Sequence, residues 1–331
     1  MKKILITGAA GFIGSFLVEE ALKNGYEVFA GIRKKSNTRY LQNPQIHLLE
    51  LDLSQTEPLR KTIEQYPRFD YIIHNAGITK AHKKEDFFTS NYQYTKTFIE
   101  ILIEKNKVPQ KFIYMSSLAA FGPGETFQSD PILLTDAPRP ITAYGKSKLQ
   151  AEQFVASVKN FPYLIIRPTA VYGPREKDLY TLIQLLNKNI EISIGNQKQQ
   201  LSFIYVKDLA SIVMKAMGSS MMNTAYFVSD GNSYDQSTLV YHIKSQLQKR
   251  TFKLHIPLGL LKIMGMASEL MTYFTQKPAL LNREKIKEIQ AVNWRCDIQT
   301  LIDDLQFEPH YTLQRGIQET IVWYQENAWL K

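Results

Sequence analysis

The chain has 331 residues, 44% of them apolar, so it can bury a large core and is long enough for one substantial domain and a smaller one. Its one cysteine, Cys296, excludes an internal disulfide and suits a reducing compartment. The formal charge of +9 comes from scattered basic residues without a basic tract interleaved with aromatics, so we expect no nucleic-acid partner. No window of 18 uninterrupted apolar residues occurs, and we expect an unprocessed, cytoplasmic protein without a membrane span.

Apolar strand segments alternate with helical patterns over the first half of the chain. The predicted strands are 3–6, 26–32, 46–51, 70–73, 111–115 and 162–166, and the predicted helices are 12–24, 57–66, 91–106 and 142–159. This alternation predicts an α/β fold, a Rossmann-type doubly wound parallel sheet with helices on both faces and ligands beyond the carboxyl ends of the strands. The pattern loosens after Gly173-Pro174. We therefore expect a nucleotide-binding domain over 1–173 and a smaller C-terminal substrate-binding lobe over 174–331, with some segments returning to the first domain.

A glycine-rich turn, Thr7-Gly-Ala-Ala-Gly-Phe-Ile-Gly14, joins the first strand to the first helix. Gly8 can make the tight turn, Gly11 leaves room for a pyrophosphate, and Gly14 lets the helix pack closely on the strand. The helix N-terminus offers N–H donors and a partial positive charge to phosphates. A turn without a ligand is the alternative, but the position directly after a buried strand favours a dinucleotide site. Its expected contacts are Gly8, Ala10, Gly11, Phe12, Ile13 and Gly14.

The end of the second strand bears on the cofactor. An acid at this point usually binds the ribose 2′-hydroxyl of NAD, whereas a 2′-phosphate requires cations. The strand ends Ala30-Gly-Ile-Arg-Lys-Lys35 and carries no acid. Arg33 can make paired contacts to a phosphate, so the sequence favours NADP over NAD, with an exposed basic turn as the alternative.

Four residues in the middle of the chain suggest the chemistry. Hydride transfer at a carbinol carbon requires a proton transfer at its oxygen, which a tyrosine performs once its pKa falls from about 10 towards the working pH. Lys148 follows Tyr144 by one helical turn, so its ammonium can stabilise the phenolate. Ser117, after Ser116 at the end of the fifth strand, can hold the substrate oxygen. Each of these three side chains also has an ordinary structural explanation. Tyr144 could be a packing residue, Lys148 a solvated helix charge, and Ser117 an N-cap or strand-end hydroxyl.

The motifs occur in an order that resembles the extended short-chain dehydrogenase/reductases, often labelled the NAD-dependent epimerase/dehydratase family. Further matching segments are Asp52-Leu53, His74-Asn-Ala-Gly77, Tyr114-Met-Ser-Ser-Leu-Ala-Ala-Phe-Gly122, Arg167-Pro-Thr-Ala-Val-Tyr-Gly-Pro174 and Phe203-Ile-Tyr-Val-Lys-Asp208. The resemblance implies that Asp52 and Leu53 lie beside the adenine, and Ala76 and Gly77 beside the ribose and pyrophosphate, with Asn75 as a further cofactor contact. It places Pro168, Thr169 and Val171 beside the nicotinamide, and Ser117, Tyr144 and Lys148 in the catalytic positions.

The resemblance leaves the substrate open. Sugar-nucleotide members commonly carry an arginine two residues before the position of Phe203, where this chain has Leu201; Arg175, Lys177 or Lys198 are other candidates for that role. The segments 25–33 and 256–274 look more like flavonoid-type reductases and 3β-hydroxysteroid dehydrogenases. We therefore expect an oxidoreductase acting on a secondary alcohol or ketone of lipophilic type. The alternatives are a nucleotide-sugar epimerase with tightly bound NAD and a non-catalytic dinucleotide sensor. Dehydratase chemistry is disfavoured, since 116–120 lacks an Asp-Glu pair.

Three expectations concern the rest of the chain. The segment 256–274, with Met264, Met266 and Met271, is expected to pack in the core, with a substrate lid or a peripheral membrane contact as alternatives. His74 and His255 lack metal-ligand spacing, so we expect no metal site. By resemblance, a homodimer would form through the helices at 91–106 and 142–159.

Overall fold

The computed structural model describes residues 1–125, 130–194, 199–275 and 283–330, without the side chains of 266, 267 and 269–275. The strands are β1 Lys3–Thr7, β2 Glu27–Ile32, β3 Ile46–Glu50, β4 Tyr71–His74, β5 Lys111–Met115, β6 Tyr163–Pro168, β7 Ala170–Tyr172, β8 Ile190–Ile194, β9 Gln200–Leu201, β10 Phe203–Tyr205, β11 Thr224–Val228, β12 Phe252–Ile256 and β13 Asn293–Trp294. In the described part of the chain, seven of them form a parallel sheet in the order β11-β6-β5-β4-β1-β2-β3.

The helices follow the predicted alternation. They are α1 Phe12–Lys23, α2 Thr56–Gln65, α3 Lys84–Phe87, α4 Tyr94–Glu104, α5 Ala143–Ser157, α6 Lys177–Asn187, α7 Val206–Gly218, α8 Gln236–Leu247, α9 Leu258–Thr275, α10 Arg283–Gln290, α11 Gln299–Leu305 and α12 Leu313–Glu326. A π-helical segment, Phe88–Gln93, joins α3 to α4, and a 3-10 turn covers Leu118–Ala120. No helix among the described residues is both long and apolar enough to cross a membrane.

The sheet is buried on both faces because successive side chains of a strand point in opposite directions. In β1, Ile4 and Ile6 pack into one apolar cluster, which includes residues of α1 and α7, and Leu5 packs into a second, which includes residues of α2, α4 and α5. This arrangement confirms the predicted doubly wound Rossmann-type fold.

Segments after residue 174 contribute both to the main sheet and to a separate core. β11 adds to the sheet beside β6, and α7 packs against α1. A third apolar cluster is formed mainly by side chains of α6, α8 and α12, among them Ile183, Ile243 and Ile317. The division into domains at residue 174 stays a prediction.

Two sequence-based expectations differ from the structure. The helical run predicted from residue 91 begins at Lys84, where the Lys83 N–H donates to Asp86 Oδ2 over 3.1 Å and closes the first turn. The core packing expected for 256–274 is wrong for the start of α9, since Leu260, Ile263 and Met264 are 50%, 59% and 44% exposed. The side chains of Met266 and Met271 lie outside the described residues.

Candidate active site

A cleft of about 1190 Å³ lies at the carboxyl ends of the central strands. It brings together all the predicted site residues except Gly14. Those lining it are Gly8, Ala10, Gly11, Phe12, Ile13, Arg33, Asp52, Leu53, Asn75, Ala76, Gly77, Ser117, Tyr144, Lys148, Pro168, Thr169 and Val171.

The glycine turn has the geometry of a phosphate cradle. Gly8 has φ of +65°, and a Cβ there would lie 2.9 Å from Ala76 Cα, so a larger residue would be strained and would press on the neighbouring loop. A Cβ on Gly14 would lie 2.2 Å from Gly8 O, so this glycine packs the helix on the turn rather than on the strand. Gly11 is the N-cap of α1 and makes no side-chain cap, which leaves the first-turn N–H groups available to an anion.

Behind the cradle, a buried hydrogen-bond chain supports the loop after β4. Ala76 N–H donates to Thr7 Oγ1 over 3.0 Å, and Thr7 Oγ1 is also 3.0 Å from His74 Nδ1. His74 Nε2 is 3.0 Å from Thr95 Oγ1, whose proton goes to the Asn91 carbonyl over 2.8 Å. His74 is therefore the donor to Thr95 and, as a neutral ring, the acceptor from Thr7. Burial lowers the pKa of His74 to about 3, so the ring stays neutral and these hydrogen bonds persist at physiological pH.

Asn91 is a functional residue that the sequence analysis missed. It is fully buried, and its side chain bonds to both the N–H and the carbonyl of Ile78, at 2.8 and 3.1 Å. Its Nδ2 also donates to Ser147 Oγ over 3.0 Å, one turn from Tyr144 on α5. Asn91 thus ties the loop 75–78, which lines the cleft, to α5. The sequence around it, Thr89-Ser-Asn-Tyr-Gln93, is polar and gives no signal that Asn91 is buried.

The far end of the cleft is basic. Arg33, Lys35 and Arg39 line it where β2 ends. Asp52 lies in the same region, and hydrogen bonds from Ser54 lower its pKa, with Arg33 contributing in the same direction. No acid follows β2 directly, so this end of the cleft offers cations to a ligand.

The serine, tyrosine and lysine lie at the other end. Ser117 precedes the 3-10 turn and accepts a hydrogen bond from Ala119 N over 3.1 Å, so it is an N-cap as well as a cleft residue. Tyr144 and Lys148 share one face of α5, and Lys148 Nζ donates to the Met115 carbonyl at the end of β5 over 2.7 Å. The hydroxyl of Ser116 is buried in the cleft lining and has no partner among the described protein groups.

The electrostatics of this end differ from the expectation. Burial raises the pKa of Tyr144 to about 12, against a hydrogen bond with Ser117 that lowers it. The direction of this shift is opposite to the lowered pKa expected for the tyrosine. Burial lowers the pKa of Lys148 to about 8, and the Glu152 carboxylate opposes that effect. At neutral pH the lysine is mostly an ammonium, buried beneath the reacting end.

Glu152 belongs to a buried ion pair that lies one turn beyond Lys148. The single N–H of Arg167 Nε is shared between the two carboxylate oxygens of Glu152 at 3.1 Å each, and Arg167 Nη2 donates to Oε2 over 2.8 Å. The side chains are 3% and 12% exposed, so this pair is little screened by solvent. Arg167 is in turn held over the rings of Phe121 and Phe227.

The N-terminus of α5 is in contact with a side chain of α10. Both carboxylate oxygens of Glu284 accept from the Ala143 N–H at 3.1 Å, and Lys84 Nζ lies 3.7 Å from Glu284 Oε1. A carboxylate is stabilised at a helix N-terminus by the unpaired N–H groups there. The sequence gives no signal for this contact, since 141 residues separate the partners.

Another part of the cleft lining comes from the later part of the chain. Arg175 donates to Ser15 Oγ over 2.8 Å and pairs with Glu19 over 2.6 Å, so its guanidinium is committed to α1. Lys177 lines the cleft, as does an ion pair between Lys80 and Asp178 that crosses it. Lys198, the third candidate for a substrate diphosphate, lies outside the described residues.

The cleft thus combines a phosphate cradle, a cationic end and a Ser-Tyr-Lys set, a combination that defines a dinucleotide-binding enzyme. Residues 4–226 match the family model described as the NAD dependent epimerase/dehydratase family. The chain belongs to this family, within the extended short-chain dehydrogenase/reductases, and is an enzyme; the sensor alternative is set aside.

Named relatives differ in what they act on. The chain is 27% identical to a UDP-glucose 4-epimerase of Vibrio cholerae, over 96% of this chain and 94% of the relative. It is 26% identical to a decarboxylating sterol-4-alpha-carboxylate 3-dehydrogenase of Dictyostelium discoideum, over 70% and 73%. The crystal structure of a UDP-glucose 4-epimerase from Thermotoga maritima superposes with a TM-score of 0.80 at 20% identity, over 98% of this chain and 99% of that one, which shows the shared fold.

Proposed function

We propose that the protein is an NAD(P)-dependent oxidoreductase that interconverts a secondary alcohol and a ketone. The observation that carries the proposal is the presence of Ser117, Tyr144 and Lys148 in one cleft with a glycine turn suited to a dinucleotide. When bound, the dinucleotide supplies or accepts the hydride. The Tyr144 hydroxyl exchanges a proton with the substrate oxygen, and Ser117 holds that oxygen by a hydrogen bond. The Lys148 ammonium provides positive charge near the reacting end.

We infer that NADP is preferred to NAD. Arg33, Lys35 and Arg39 converge on the end of the cleft where a 2′-phosphate would lie in this fold, and no acid follows β2. A guanidinium binds a phosphate through paired hydrogen bonds, while a 2′-hydroxyl gains little from three cations. Titration with NADPH and NADH tests this directly. Arg33→Gln should weaken NADPH and leave NADH nearly unchanged; equal weakening of both would contradict the inference.

Tyr144→Phe tests the proton transfer. The variant keeps the ring and loses one oxygen, so it should bind dinucleotide as the wild type does and lower kcat by orders of magnitude. The assay is NADPH oxidation with a panel of lipophilic ketones. Tyr163→Phe, which removes a hydroxyl from a residue outside the cleft, is the matched control. Equal activity of Tyr144→Phe and the wild type would refute the mechanism.

A nucleotide-sugar epimerase is the second candidate, favoured by the similarity to the Vibrio cholerae enzyme over 96% of this chain. An epimerase reduces and reoxidises its cofactor within one turnover, so it gains from retaining it. Mass spectrometry of ligand released on denaturation separates the two functions. Retained NAD supports the epimerase, and weakly held NADP supports the net oxidoreductase.

We also propose that the segments after residue 174 form the substrate lobe and that the protein dimerises through α4 and α5. Ile103, on α4, is 42% exposed, which suits a subunit contact. Analytical ultracentrifugation of the wild type and Ile103→Arg tests the dimer. A monomeric wild type would contradict it.

A further inference from the structure

An exposed apolar surface follows the substrate-lobe core in sequence. Phe252 and Leu254 of β12 are 72% and 44% exposed, and Leu260, Ile263 and Met264 of α9 are 50%, 59% and 44% exposed. Together these five residues are named the β12–α9 surface. So many large apolar side chains exposed within 13 residues indicate an interaction site rather than scattered surface residues.

The spacing of these residues gives each element an apolar face. Phe252 and Leu254 alternate along β12, which pairs with β8 alone in a two-stranded sheet of the described residues. Leu260, Ile263 and Met264 lie at helical spacing on one side of α9, while Leu261 is buried at 3% exposure on the other. The helix is therefore anchored to the protein by one side and presents an apolar side outward.

The charged residues within the segment that carries this surface all have one sign. Residues 249–264 contain Lys249, Arg250, Lys253 and Lys262, all exposed, and no aspartate or glutamate. The neighbouring Glu191 accepts hydrogen bonds from Lys244 over 2.7 Å and from Thr251 over 2.6 Å. Four cations around an apolar centre complement an anionic, apolar surface. They would repel the same surface of a second copy in a two-fold contact.

We propose that the β12–α9 surface docks on an anionic lipid bilayer. The apolar side chains enter the boundary between headgroups and acyl chains, and the four cations contact lipid phosphates. Docking leaves the fold outside the bilayer. Because α9 packs against α10, and α10 holds the N-terminus of the catalytic helix through Glu284, the docked protein would have its active site close to the membrane.

Co-sedimentation of the full chain with vesicles tests the proposal without any need for turnover. The vesicles are phosphatidylcholine with or without phosphatidylglycerol, at low and high salt. We expect binding to the anionic vesicles that weakens with salt, since surface charges are screened. An apolar variant carries Leu260→Gln, Ile263→Gln and Met264→Gln and should bind at least about tenfold more weakly.

A charge variant carries Lys249→Gln, Arg250→Gln, Lys253→Gln and Lys262→Gln. It should lose about fivefold in binding for each cation removed. The matched controls are Leu133→Gln with Met222→Gln, which change exposed apolar residues elsewhere, and Lys61→Gln with Lys159→Gln, which change exposed cations elsewhere. Both controls should bind vesicles as the wild type does. A cooperative urea unfolding transition in all variants shows that they are folded.

Three results would overturn the proposal. The first is a wild type that does not bind anionic vesicles better than neutral ones. The second is an apolar or charge variant that binds them as well as its control. The third is an apolar variant that converts a dimer to a monomer in ultracentrifugation with vesicle binding unchanged, which would assign the surface to a second copy. Failure of the enzymatic proposal would leave all three measurements interpretable.

Discussion

The buried histidine behind the cofactor cradle makes the protein sensitive to acid. His74 is fully buried, and its two ring nitrogens contact Thr7 and Thr95 at 3.0 Å in a pattern that fits the neutral ring. Its pKa is lowered from 6.5 to about 3, chiefly by burial and further by the positive charge of Lys148. In the unfolded chain the ring is free to bind a proton near its ordinary pKa.

The size of the effect follows from proton linkage. Between pH 6.5 and about 3 the unfolded state binds a proton that the folded state does not, so stability falls as the pH falls through this window. Each pH unit in the window is worth about 1.4 kcal/mol of unfolding free energy. The contribution of His74 should therefore make the free energy of unfolding about 2 kcal/mol lower at about pH 5 than at neutral pH.

Urea unfolding at about pH 7 and about pH 5 measures this loss. His74→Gln cannot bind the proton, so it should lose about 2 kcal/mol less than the wild type over the same interval, whatever its stability at neutral pH. His82→Gln, which alters an exposed histidine, should lose as much as the wild type. An equal loss in His74→Gln and the wild type would refute the argument.

Three further changes have defined outcomes. Glu152→Gln removes the carboxylate whose charge opposes the effect of burial on Lys148, so the pKa of Lys148 should fall further below about 8. One limb of the pH–rate profile should then move to lower pH, and an unmoved profile would contradict this prediction. Gly14→Ala places a Cβ 2.2 Å from a backbone oxygen and should cost about 1–3 kcal/mol in urea unfolding, whereas Gly259→Ala, with nothing within 4 Å of its Cβ, should cost little. Lys80→Ala removes the exposed ion pair between Lys80 and Asp178 and should speed NADPH release by about 1.5- to fivefold in stopped-flow fluorescence; an unchanged rate would show that the pair does not hold the ligand.

Some features were predictable because their signal is local. The strand–turn–helix unit from Lys3 to Lys23 was predictable from an apolar run, three glycines and a helical repeat, and the structure places these elements within a residue or two of the predicted bounds. The spacing of Tyr144 and Lys148 likewise follows from one helical turn. Their catalytic roles stay predictions, although the structure places both side chains in the cleft with the glycine turn.

Other features had no local signal. The expectation that Tyr144 has a lowered pKa came from its neighbour Lys148 alone, whereas burial by the whole fold raises the pKa to about 12. The apolar pattern of 256–274 suggested core packing, because periodicity shows which residues share a face but not whether anything covers that face. In the structure Leu260, Ile263 and Met264 are uncovered.

The sequence by itself determined the order of strands and helices, the position of the glycine turn and the family resemblance, because periodicity, glycines and short motifs act within a few residues. Only the tertiary structure decided that Glu284 holds the N-terminus of α5, that Asn91 joins the loop 75–78 to α5, and that the start of α9 is exposed. Contacts between distant segments and the burial of each group depend on how all the elements pack together, and no local pattern encodes that packing.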